Sequence, residues 1–179
     1  PIPHVTSNSA WEALKTGAYC NYNTNSSNAD TYGRLYNWYA VNDSRNIDPE
    51  VRKRFHLPTD SRNIAPEGWH VPSDAEWKTL VDYLGGKSVA GGKMKETGTT
   101  HWHSPNTGDT NESGFSALPV GCRYYNGRYD YMGYNATFWS STEDYPYSAW
   151  YRKLWYNDSV VNRYSTKERN GFSVRCVKD

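Results

Sequence analysis

The residues best suited to chemistry lie in the last third of the chain, and the chemistry they suit is recognition. Between Tyr124 and Tyr164 stand ten of the 16 tyrosines and three of the eight tryptophans, interleaved with Asn126, Asn135, Asn157, Asp158, Ser159 and Asn162. One core cannot bury so many tyrosines, because each buried phenol also needs a hydrogen-bond partner. Tyr, Trp, Ser and Asn are favoured where a rigid surface grips a ligand at low entropic cost. The segment reads as a binding face. Aromatic anchors of this kind stack on sugar rings or act as hot spots of protein contacts, so a glycan and a cell-surface protein both stand as its partner.

Other chemistries find less support. His101-Trp-His103 puts two imidazoles on one side of an extended segment, but no third ligand is placed and no H-E-x-x-H occurs. Asp109, Asn111 and Glu112 could approach a loop cation, yet they read as a solvated loop. No G-x-S-x-G, P-loop or dinucleotide fingerprint is present. We therefore assign no catalytic residue, no metal and no cofactor, and expect a protein that is not an enzyme. Cys20, Cys122 and Cys176 form no C-x-x-C pair, and they allow one disulfide with a free thiol, or none.

Composition narrows the partners. The 20 basic and 19 acidic residues leave a net charge of +1, which is no footprint for nucleic acid or an anionic membrane. A mean hydropathy of −0.93 combined with 16% aromatic residues describes a folded, polar-surfaced chain rather than a disordered one. No apolar run approaches the roughly 18 residues of a membrane span, so no membrane insertion is expected of this segment, and no signal peptide is seen. At 179 residues the chain suits one domain, spanning 1–179.

The elements that must carry the face are few. Ser9 to Lys15 is a short helical candidate, capped by Ser9, with Trp11 and Leu14 toward the core. Asn21 to Asp30 reads as a polar loop, and the aromatic run Thr31 to Val41 as core. Asp43-Ser-Arg-Asn-Ile47 recurs as Asp60-Ser-Arg-Asn-Ile64, so 43–59 reads as a surface insertion. The clearest helix follows Ser73, which forms an S-x-x-E capping box with Glu76. Trp77, Leu80, Val81 and Leu84 supply its apolar stripe, Lys78 and Asp82 its solvated face, and Gly85-Gly86 its stop. Strands are expected at Phe115–Leu118, in a hairpin over Tyr124–Tyr134, and at Phe138–Ser141, Ala149–Tyr156, Ser159–Tyr164 and Gly171–Val177. The sum is an α+β domain with one or two helices, short antiparallel strands and long loops.

Several words of the chain are those of a family. Tyr32-Gly-Arg-Leu-Tyr-Asn-Trp-Tyr-Ala-Val41, Ala65-Pro-Glu-Gly-Trp-His-Val-Pro-Ser-Asp-Ala-Glu-Trp77 and Gly171-Phe-Ser-Val-Arg-Cys176 resemble the Fibrobacter succinogenes major paralogous domain family. Gly92-Lys-Met-Lys-Glu-Thr-Gly98, Asn111-Glu-Ser-Gly-Phe-Ser-Ala-Leu-Pro119 and Trp139-Ser-Ser-Thr-Glu143 extend the resemblance, which covers Trp11 to the C-terminus. It implies a C-type-lectin-like fold and an extracellular or cell-surface module of gut and rumen bacteria or of phage. An opening strand usual in the family is missing, which reads as a trimmed or altered N-terminus. The calcium-dependent lectin words do not occur, and Ser104-Pro-Asn106 and Trp155-Tyr-Asn-Asp158 are only near misses.

The resemblance also divides the aromatic region. Trp139, Trp150 and Phe172 fall in family words and are expected in the core, and His70 is expected to be a satisfied structural histidine. The intervening residues are expected to face a ligand: Tyr129, Asp130, Tyr131, Tyr134, Asn135, Asp144, Tyr145, Tyr147, Ser148, Tyr156, Asn157, Asp158, Ser159, Asn162, Tyr164 and Ser165, all within 123–170. Proteins of the implied fold are frequent targets of diversity-generating retroelements, which rewrite adenine-containing codons. Such a retroelement would vary these positions and leave the family words intact. The chain is therefore expected to be a receptor or adhesin domain, with a fixed glycan-binding module or a ligand-free lipoprotein domain as the alternatives.

Overall fold

The computed structural model describes residues 1–42 and 64–179, and the insertion expected over 43–59 lies outside them. A short helix, α1 (Asn8–Glu12), opens the fold; Ser7 rather than Ser9 caps it, and its Trp11 is fully buried. Strand β1 (Tyr19–Cys20) pairs with β2 (Leu35–Tyr36) around helix α2 (Ser26–Tyr32). The segment read as a polar loop becomes helical because the Asn25 side chain accepts the Ser27 amide, and Gly33, at φ 79°, ends the helix. Asn37 likewise caps α3 (Trp38–Val41), which buries Trp38 and Val41 as the aromatic run predicted. Strand β3 (Trp69–His70) pairs with the C-terminal β9 (Val177–Lys178).

Helix α4 (Asp74–Tyr83) has the expected capping box, and its buried Trp77 and Val81 face the core. His70 is satisfied on both ring nitrogens, by Asp179 and by Glu76, and those hydrogen bonds raise its pKa. Helix α5 (Lys87–Met94) follows directly and was not foreseen, since two glycines sit inside it. Their amides both reach the Ser159 carbonyl, at 2.9 and 3.3 Å. A β-carbon on Gly91 would come within 2.7 Å of the Ser159 carbonyl oxygen, and one on Gly92 within 2.2 Å of the Gly108 carbonyl oxygen. Close backbone approach outweighs helix propensity here.

A hairpin forms earlier than the expected 124–134, from β4 (Cys122–Arg123) to β5 (Tyr129–Asp130), turning at Asn126-Gly127, and 131–134 are a turn. The frame of the domain is a three-stranded antiparallel sheet in the order β6 (Asn135–Tyr145), β7 (Ser148–Trp155), β8 (Val161–Lys167). Its first core lies under α4 and α5 and holds Trp77, Met94, Trp102, Phe138, Leu154 and Val161. A second core, on the opposite side, holds Trp38, Cys122, Trp139, Ala149 and Phe172. A third gathers Trp11, Cys20, Leu35 and Val120 from the N-terminal elements. Trp139 and Phe172 are core as expected, whereas Trp150 is half-buried.

Two expectations need correction. Phe115–Leu118 and Gly171–Val177 are not continuous strands; among the described residues only isolated bridges at Ala117, Gly171, Phe172 and Ser173 and the terminal β9 form there. The larger correction concerns fold class. The chain is α+β, but the C-type-lectin-like fold with one or two helices and short strands is not what forms. The described residues make five α-helices and four sheets, and β6 alone runs eleven residues. Asparagine caps start α2 and α3, the glycines of α5 accommodate the close approach of the Ser159 and Gly108 backbone, and cross-strand aromatic pairs line the central strands. The Gly92→Ala variant should lose about 1–3 kcal/mol of stability in a denaturant titration, because the clash is with rigid backbone.

Candidate ligand-binding face

Strand register decides which side chains share a surface. Tyr151 stands opposite Tyr164 and Lys153 opposite Asn162, so all four project from the same side of the sheet as Trp155. On β6 that side is roofed: Gly121 bridges Ala136, Thr137 Oγ1 donates to the Gly121 carbonyl, and Phe172 packs on Trp139 at 4.4 Å between rings. On β7 Phe172 also meets Tyr151, at 4.7 Å, while Tyr164 on β8 stays exposed. The β7–β8 half is edged by Tyr131, whose ring meets Trp155 edge-on at 5.5 Å, and the Lys153 ammonium lies 4.0 Å from the Trp155 ring centre and 5.1 Å from that of Tyr131. Arg128 lies over Tyr124 while pairing with Asp130, and Lys167, which register turns to the other side with Ser165, lies 3.7 Å over the Tyr125 ring.

These groups are held stiffly. Tyr131 has φ 67°, a left-handed conformation that costs a non-glycine residue energy, and the Asp130 carboxylate accepts its amide. The Tyr125 amide donates to Asn170 Oδ1, and Asn170 in turn donates to Thr166 on β8. Burial raises the Tyr151 phenol to about 12, with Cys122 and Tyr164 adding to it, so it presents a neutral hydroxyl at neutral pH. Burial also lowers the Lys153 pKa, against the pull of Cys122 and Asp130. An aromatic surface with one desolvated ammonium and the half-buried Asn162 amide is equipped to stack rings and donate hydrogen bonds.

The sequence-predicted residues fall into several places. Asp130, Tyr131, Asn162 and Tyr164 belong to this face. Asp144, Tyr145, Tyr147 and Ser148 form the tip of the β6–β7 hairpin, where Tyr145 and Tyr147 are 73% and 77% exposed. Pro146 followed by Tyr147 at φ 72° fits a type II turn. Tyr134 and Tyr156 meet at the other end of the sheet, edge-on at 5.3 Å, with His103 stacked on Tyr134 at 4.1 Å. Asn157, Asp158 and Ser159 make the neighbouring β7–β8 loop. Ser165 is exposed opposite Trp150, on the side facing α4. Tyr129 turns inward against Tyr22, and Asn135 is fully buried. Tyr151, Lys153 and Trp155 of this face were not foreseen. The period-2 alternation of 151, 153 and 155 was the available signal.

Three buried ionic groups fix the scaffold. The Lys95 ammonium donates to the carbonyls of Thr107, Trp155 and Asp158, and burial lowers its pKa to about 8 despite Asp158 and Asp109. Arg123, fully buried, donates to the carbonyls of Gly127, Val5, Thr6 and Ser7 and to Asn8 Oδ1. Asp74 receives both Arg152 and Arg163; burial pushes its pKa up, but the arginine hydrogen bonds outweigh this and hold it below the usual range. All three cysteines are free thiols, and burial raises Cys122 to about 12. Among the described residues no cluster of three metal-ligating side chains occurs, and no helix is long and apolar enough to cross a membrane.

An α+β domain with an aromatic sheet face is thus the class to be placed. The model of the Fibrobacter succinogenes major domain matches residues 1–178, and the chain belongs to that family. No curated protein matches the chain. No solved structure matches it either. The expectations of an adhesin, a phage protein and retroelement diversification were attached to the C-type-lectin-like fold, and they lose that footing with it.

The hairpin tip carries a titrating group. Glu168, 5% exposed, lies under the hairpin with its amide on the Tyr147 carbonyl, and burial, then Glu143, raise its carboxyl to about 7, against a lowering hydrogen bond from Tyr39. With the folded pKa near 7 and the unfolded one at 4.5, the folded state binds the extra proton in between. Stability should therefore be full below about pH 4.5 and fall as pH rises through about 7, by on the order of 2–3 kcal/mol. Thermal melts from pH 4 to 8 should show this decline, and Glu168→Gln should flatten it.

Proposed function

We propose that this chain is the ligand-binding domain of a surface-exposed or secreted protein. Its ligand, a glycan or a protein of a cell surface, lies across the β7–β8 half of the sheet. The observation that carries this reading is the grouping of Tyr131, Tyr151, Trp155 and Tyr164 with Lys153 and Asn162 on one rigid surface. Tyr164 is 48% exposed at the open edge of that sheet, although burial would be the cheaper fate of a phenol ring. Rigid aromatics lose little entropy on binding, while Asn162 and the Lys153 ammonium supply directional contacts. The exposed hairpin tyrosines, Tyr145 and Tyr147, extend the reach of the surface at one end.

Screening the domain on a glycan array and on displayed extracellular proteins should return ligands that depend on this face. In the Tyr131→Ala/Tyr164→Ala variant their affinity should fall at least about tenfold, since hot-spot truncations cost about 2 kcal/mol or more. The melting temperature should drop by only a few degrees. Ligands retained by the double variant would place binding elsewhere, and a collapse of the melting temperature would make these rings core.

A further inference from the structure

A second concavity lies away from the aromatic face, between the end of α2 and the chain around residues 173–175. It has a volume of about 360 Å³ and is walled by Arg34 and Arg175. Both guanidinium groups are held on aromatic rings rather than by acids. Arg34 lies 4.5 Å over Tyr19, and Arg175 lies 5.0 Å over Phe115 while one of its nitrogens donates to the Phe115 carbonyl at 3.2 Å. Neither makes an ion pair among the described residues, whereas Arg128, Arg152 and Arg163 each meet an aspartate. Among the described residues no carboxylate lines the cleft. Its floor includes Leu118 and Phe138, and the hydroxyls of Thr31 and Ser173 open onto it without a hydrogen-bond partner among the described residues. Ser173 as a residue is 8% exposed.

We propose that this cleft binds the carboxylate of an acidic monosaccharide. Two pre-oriented guanidinium groups fit a planar carboxylate through paired hydrogen bonds. The hydroxyls of Thr31 and Ser173 suit ring hydroxyls, and the half-buried Leu118, Tyr32 and Tyr36 suit the apolar face of a pyranose. The volume falls in the lower part of the ~300–1,000 Å³ range of small-molecule sites. Inorganic phosphate would use the guanidinium groups but leave the apolar floor uncovered. The site is separate from the β7–β8 face and holds whether or not that face binds.

The test is an amide-resolved NMR titration of the whole chain with sodium glucuronate, with glucose and with inorganic phosphate. Glucuronate should shift the amides of Gly33, Arg34, Ser173 and Val174 saturably, and glucose should not. Arg34→Gln, an exposed position, should weaken glucuronate at least tenfold without changing the melting temperature. Arg175→Lys should do the same although it keeps the charge, because the ammonium lacks the planar fork. If Arg175→Lys does not fold, Arg34→Gln alone decides. The Tyr131→Ala/Tyr164→Ala variant should bind glucuronate normally, which separates this site from the aromatic face. Absence of shifts at the cleft, equal binding of glucose, or phosphate binding as tight as glucuronate would overturn the proposal.

Discussion

A backbone carbonyl removed from water must find a donor, and a chain with so much irregular backbone cannot rely on ladders to provide one. Here two buried cations do that work. Lys95 takes three carbonyls from two separate loops, and Arg123 takes four, joining the N-terminal segment to the β4–β5 turn. Burying a charge is costly unless its hydrogen bonds are nearly complete, so each cation holds its loops in one arrangement. The aromatic face depends on both. Arg123 sets the hairpin that leads into Tyr131, and Lys95 pins the carbonyl of Trp155 and the loop that follows it.

The same aromatic residues serve folding and recognition. Tyr151 packs on Phe172 at 4.7 Å inside the second core and meets Tyr164 at 6.0 Å toward β8. Tyr131 packs against that core too and is only half-buried, with Trp155 meeting it edge-on. A ring half-committed to packing is already fixed in its rotamer, so a ligand that covers the other half has little left to order. The left-handed backbone at Tyr131 is consistent with such a function, because a residue held against its own preference is paid for by its surroundings.

Much of the framework was legible from local rules. Ser73, Glu76 and the Trp77–Val81 stripe announced α4, and the alternation over 149–156 announced β7, because capping and period are properties of neighbouring residues. Helix α5 was hidden, since Gly91 and Gly92 argue against a helix until Ser159 and Gly108 are brought beside them. Helix α2 was hidden by polar composition, though Asn25 was a readable cap. Of the predicted ligand residues, Tyr164 and Asn162 met on one face. Tyr129 and Asn135 turned inward, and Tyr134 and Tyr156 went to the far end of the sheet.

What the sequence determined by itself is therefore the chemistry: a tyrosine-rich C-terminal third, a nearly neutral surface, one strongly capped helix and membership words spread along the chain. Composition and short-range pattern carry that information because they depend on side-chain type and on spacing of a few residues. Only the tertiary structure decided which tyrosines stay exposed, where Arg34 and Arg175 share a cleft, and which carbonyls Lys95 and Arg123 bind. Those outcomes rest on strand register and on contacts between residues far apart in the chain. A shift of one residue in the pairing of β7 with β8 would have turned Tyr151 and Tyr164 to opposite sides of the sheet.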